Sequence, residues 1–179
     1  MRRKGMRAMG GNRQLLLQAS RSLEQYRADE ALRIAEKILR RDPGHLPALE
    51  IAAKARWRIG DFERALDTLQ RLICLNPYEP GYFYLKGACL QSLGRLGEAV
   101  EAYERCASTE AESAAHANAA LKDLEAWQET LIADLLQEDR VFRAKLSQDA
   151  EEALRSRGFV FSRLGKERVR EIAVRSSWD

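Results

Sequence analysis

Apolar positions recur along this chain at steps of three and four, and no β-branched run is long enough to read as a strand. That spacing predicts amphipathic helices, with polar residues on their outer faces. One stretch sets a problem for such a helix. Residues 80–92 read PGYFYLKGACLQS, with Tyr82, Phe83 and Tyr84 in a row. Each step turns a helix by about 100°, so three consecutive aromatic rings cannot share one buried face. At least one must be left over for something else.

The pattern also repeats. Shifted by 34 residues, Ala31, Ala65 and Ala99 fall in register, as do Ala19, Ala53 and Gly87, and Leu15, Leu49 and Phe83. Gly60 aligns with Gly94, Phe62 with Leu96 and Pro43 with Pro77. Two helices paired within one repeat must approach closely, so small residues belong at the crossing points. Gly60 and Gly94 suit a helix end that needs positive φ. Pro43 and Pro77 stop the second helix of a pair, and larger residues such as Leu69 and Tyr103 fill the space between neighbours. A single pair cannot cover its own apolar faces, so such pairs must stack. Three repeats are expected, at 12–45, 46–79 and 80–113. The first has Tyr26 where the later two have Gly, and the third has Ala111 in place of the closing Pro.

The period and the small-residue positions resemble the tetratricopeptide repeat family. LRRDP at 39–43 and ICLNP at 73–77 are similar to that family's repeat ending, and GDFERAL at 60–66 and GRLGEAV at 94–100 to its inter-helix turn and second helix. The resemblance implies an all-α fold, a right-handed superhelical array of three helix-turn-helix repeats. It also implies a concave groove lined by the first helix of each repeat, where a protein partner binds. The stretch LICLNPYEPGYFYLKGACLQSLGRLGEAVEAY is similar, too, to the central repeat of three-repeat chaperones of bacterial type III secretion.

Beyond the array, Ala117, Ala120, Leu124, Trp127, Leu131 and Leu135 predict one long capping helix over 114–137. Two or three short helices follow in 138–179. Asp139 and Asp149 are their capping candidates, Gly158 is a stop and Ser162 opens the last. The run from Phe142 to Phe159 is similar to leader segments of some ribosomally made, enzymatically modified peptides, and to small helical subunits of ring-opening dioxygenases.

Composition sharpens the picture. Of 179 residues, 45% are hydrophobic and 32% charged, and good helix formers dominate. Residues 1–13 carry five basic and no acidic groups, residues 14–138 carry 15 and 20, and residues 139–179 carry ten and seven. Residues 1–11 are expected as a basic flexible tail. An acidic centre argues against a nucleic-acid binder built on one basic face. No apolar stretch reaches the length of a membrane span. Cys74, Cys89 and Cys106 lie in apolar helical patterns, form no CxxC pair and suit a reducing cytoplasm. His45 and His116 lack partners at metal-ligand spacing, and no phosphate, dinucleotide or nucleophile motif occurs. The reading is therefore non-enzymatic, with no cofactor and no metal.

What remains is binding. The family resemblance assigns Arg13, Leu16, Ser20, Leu23 and Glu24 to the groove from the first repeat. Glu50, Lys54, Trp57 and Arg58 come from the second, and Tyr84, Ala88, Gln91 and Ser92 from the third. Phe83 should then pack within its repeat and Tyr82 toward the preceding one, which leaves Tyr84 for a partner. Leu16, Ser20 and Ile51 occupy three positions where some family members hold a chaperone's terminal carboxylate, so that clamp is missing. The expected function is an adaptor or chaperone that binds a peptide or helical segment. Alternatives are an accessory or substrate protein of peptide modification and an RNA-associated scaffold using the basic residues from Arg155 to Arg175. Self-association through the groove or the terminal helices is a further option.

Overall fold

The computed structural model describes the backbone of residues 2–176 and the side chains of residues 12–171. Among them are ten helices and no strand: α1 Arg2–Glu24, α2 Ala28–Leu39, α3 Leu46–Ile59, α4 Phe62–Leu75, α5 Pro80–Ser92, α6 Leu96–Ala107, α7 Glu112–Glu138, α8 Arg140–Gln148, α9 Ala150–Ser156 and α10 Arg163–Ser176. The first helix thus reaches back into the stretch expected as a tail. Trp178 lies outside the described residues.

Sequence punctuation explains where the helices end. Gly60 closes α3 at φ +83°, and its N–H and that of Asp61 reach the last carbonyls of that helix. Gly94 follows α5 at φ +72°. At the equivalent place after α1, Tyr26 adopts φ +60°, a conformation that glycine takes without steric cost and tyrosine does not. The guanidinium of Arg58 lies 5.5 Å from the centre of its ring, a cation–π contact that offsets part of that cost.

The chain divides into two compact units, Met1–Gly94 and Arg95–Asp179. The division falls inside the stretch 80–113 expected as the third repeat. Within the first unit, one core cluster joins α1, α2 and α3 through Ala19, Leu23, Ala31, Ala35, Ile51 and Ala55. A second joins α3, α4 and α5 through Leu49, Ala53, Ala65, Leu69, Leu72, Tyr82 and Cys89. The small residues in register are all buried: Ala19, Ala53 and Gly87 in one set, Ala31, Ala65 and Ala99 in the other. Full burial of Leu69 or Leu72 contributes about 1.5–3 kcal/mol each. Arg56 stitches three helices, donating to Thr68 Oγ1 on α4 at 2.5 Å and to Glu36 Oε1 on α2 at 3.2 Å.

In the second unit α6 packs on α7, α8 and α10 pack on α7, and α9 packs on α8 and α10, around a cluster of Ile132, Leu136, Phe142, Leu146, Leu154, Phe161 and Val169. Asp139 caps α8 through the N–H groups of Val141 and Phe142, and Asp149 caps α9 through that of Glu152. Gly158 takes φ +77°, and Ser162 Oγ accepts from the Gly165 N–H at 3.1 Å to open α10. The long helix differs from expectation in the seam it buries. Its inward residues are Ala114, Ala117, Leu121, Leu124, Glu125, Gln128, Ile132 and Leu136, whereas Trp127 and Leu131 are exposed. Two polar side chains took the place of apolar ones because they have dedicated partners. Gln128 Nε2 donates to the Val160 carbonyl at 2.6 Å, and its Oε1 accepts from the Val160 N–H at 2.7 Å. Glu125 accepts from the Ser162 N–H at 2.7 Å and from Arg168 at 2.5 Å.

Candidate functional site

The three aromatic side chains of α5 lie in different surroundings. Phe83 is buried. Tyr82 is buried in the cluster it shares with α3 and α4, and its hydroxyl donates to Glu50 Oε1 at 2.5 Å. Burial, followed by the neighbouring Glu50 carboxylate, pushes the Tyr82 hydroxyl well above the usual tyrosine range. Tyr84 is half-buried and lines a cleft.

That cleft has a volume of about 510 Å³ and lies among α3, α4 and α5, wholly within the first unit. Leu69 and Leu72 form part of its apolar lining, and Trp57, Lys54, Tyr84 and Glu79 bring polar or aromatic groups to it. Trp57 is 36% exposed, so its ring offers both an apolar face and an indole N–H donor. Lys54 is exposed three residues before it, within reach of the same ligand by helical spacing. Glu79 already spends one oxygen on the Gly81 N–H, at 3.1 Å, as the N-cap of α5.

Five of the groove candidates therefore meet here: Glu50, Lys54, Trp57, Arg58 and Tyr84. Glu50 and Arg58 also have work inside the fold. Glu50 holds Tyr82, and Arg58 donates to the Leu23 carbonyl near the end of α1 while covering Tyr26. The candidates from the first repeat do not join this cleft. Arg13 and Glu24 are exposed and Ser20 is half-buried, Leu16 packs against the first core cluster, and Leu23 is buried within it. Ala88 and Gln91 are half-buried outside the lining and Ser92 is exposed, its hydroxyl donating to the Ala88 carbonyl. Repeat register alone missed the α4 leucines, which lie on a second helix, Glu79, which stands just before α5, and Leu85, which follows Tyr84 on α5 itself. The run NPYEPG, with Glu79 directly before Pro80, carried a capping signal that could have flagged one of them.

Among the described basic residues from Arg155 onward, Arg163 and Lys166 are exposed and most of the arginines are paired. Arg155 pairs with Glu152, Arg157 with Asp139, Arg168 with Glu125 and Glu129, and Arg170 with Glu151. Burial alone would lower the Arg168 guanidinium, but the two carboxylates outweigh it and raise it. His45 is half-buried and His116 exposed, and no group of three metal-ligating side chains converges among the described residues. Among them, too, no helix is long and apolar enough to cross a membrane.

Comparison with known proteins agrees with this architecture. The family described as anaphase-promoting complex, cyclosome, subunit 3 matches residues 24–106. The NMR structure of the first TPR domain of the human RPAP3 protein is similar over 54% of this chain and 76% of its own, at 26% identity and a TM-score of 0.50. The crystal structure of MamA is similar over 93% of this chain and 78% of its own, at 20% identity and a TM-score of 0.56, a likeness of fold. No curated protein sequence matches the chain. The 34-residue period, the buried small residues in register and these likenesses together give the chain the helical-repeat fold seen in tetratricopeptide-repeat proteins.

Proposed function

We propose that this chain is a non-catalytic adaptor or chaperone that binds a peptide or helical segment of a partner protein. The observation that supports it most is the meeting of Trp57, Lys54 and Tyr84 at one apolar-floored cleft in the first unit. Aromatic residues beside a desolvated floor are the usual anchors of protein recognition, and the lining suits a segment held partly by its apolar side chains. The matching family is itself named for a subunit of a larger complex, and the similar human structure is a TPR domain.

The test is a pull-down from native lysate with mass spectrometry, followed by titration of the captured segment. Trp57→Ala and Tyr84→Ala should each weaken binding by about 1–4 kcal/mol, with unchanged circular dichroism. Equal affinity for both variants and the parent would remove the cleft from the function.

A further inference from the structure

A second surface lies in the other unit. Trp127 and Leu131 of α7 are 57% and 37% exposed, the reverse of what their apolar spacing suggests. Asp123, Trp127, Leu131 and Asp134 follow one another at steps of four, four and three. At about 100° per residue they fall within a sector of roughly 80°. Glu138 continues the same stripe. Asp123, Asp134 and Glu138 are exposed and have no ion-pair partner among the described residues. The face therefore reads acid, aromatic, aliphatic, acid, and the rest of its own unit leaves it uncovered.

One segment of this chain has the opposite pattern at the same length. Residues 1–13 carry five basic and no acidic groups, and Arg2, Met6, Met9 and Arg13 follow at steps of four, three and four. The backbone there belongs to helix α1. In both segments the charged ends stand 11 positions apart, about 16 Å along a helix. Basic ends and two methionines would meet acidic ends, Trp127 and Leu131. Charge complementarity at both ends fixes register, and the unbranched thioether of Met adapts to an aromatic ring.

We infer that the α7 stripe of one molecule receives residues 2–13 of a second copy. Donor and acceptor surfaces differ, so the contact is heterologous and extends head to tail. Resting on a few exposed charges, it is salt-sensitive.

Sedimentation equilibrium of the full chain tests this across concentration, at about 50 mM and about 500 mM salt. At low salt the average mass should rise with concentration. Trp127→Ala should weaken association about tenfold or more, as should the paired reversal Asp123→Lys with Asp134→Lys. Arg2→Glu with Arg13→Glu should do the same. Mixing the two charge-reversed proteins should restore association, which a misfolded variant could not do. A monomer at every concentration would overturn the inference, and so would association indifferent to the α7 reversals. Loss of association in Trp57→Ala with none in Trp127→Ala would move the contact to the cleft and overturn it too, without touching partner binding there.

Discussion

Cys74 is exposed, whereas Cys89 and Cys106 are buried. Burial pushes the Cys89 thiol up to about 12, so at neutral pH it holds almost no thiolate, the reactive form. One thiol per chain should therefore react rapidly with a thiol reagent in native buffer and all three in denaturant. Rapid native reaction of all three would contradict the packing of α5 and α6. Asp139 makes a second residue-scale case. Its carboxylate accepts from the Phe142 N–H above all and then pairs with Arg157, and these contacts hold it below the usual carboxylate range. Since its folded value is depressed, its contribution to stability is present above the unfolded value of about 4 and is lost as pH falls through the folded one. Asp139→Ala should thus melt below the parent at pH 7, and the two curves should converge in strong acid. A constant gap down to pH 2 would deny the charge its role. Such residue-scale facts were half legible: the capping role of Asp139 follows from its place before an apolar run, but its pairing with Arg157 spans 18 positions and needed the fold.

At the scale of the element, Ala65 shows how tightly the crossings constrain the sequence. It is completely buried with Leu49, Ala53 and Leu69 in the same cluster. Ala65→Leu should overpack that crossing and cost about 1–3 kcal/mol in chemical unfolding, whereas a tolerated leucine would imply a looser contact. Helix α7 gives the opposite lesson. Counting apolar residues predicted a seam through Trp127 and Leu131, yet the helix buries Glu125 and Gln128. Glu125 is only 2% exposed, and its partners Ser162 and Arg168 come from 37 and 43 positions away. Periodicity scores a glutamate as outward because it cannot see a distant helix start arriving to pair with it. Gly165 is the matching negative feature, since a Cβ there would collide with the Glu125 carboxylate. Gly165→Ala should lower stability by about 1–3 kcal/mol, measured by thermal unfolding. Indifference to the methyl group would mean that the carboxylate can move aside.

For the whole molecule, the division after Gly94 was not legible in the repeat. The 34-residue register runs through it unbroken, because register reports local helix pairing and carries no information on which pairs share a core. The cleft was legible in part for the same reason. Its first-helix residues Lys54, Trp57 and Tyr84 could be named from alignment of the repeats, while its floor of Leu69 and Leu72 belongs to the intervening helix. A whole-molecule consequence follows. Since every lining residue of the cleft lies before Gly94, Gly165→Ala should leave the affinity for a captured partner segment unchanged wherever the protein remains folded. A parallel loss of binding in a folded Gly165→Ala protein would mean that recognition extends beyond the cleft.

By itself the sequence determined the helices, their period, their stops and the small residues at their crossings. Those depend on spacing along the chain, on the backbone limits of Gly and Pro, and on the volume available where two helices touch. Tertiary structure decided which polar side chains could be buried, which aromatic ones stayed outside, and where a cleft opened. These depend on groups brought together from tens of positions apart, where the cost of burying Glu125 or exposing Trp127 is set by neighbours that no local pattern contains.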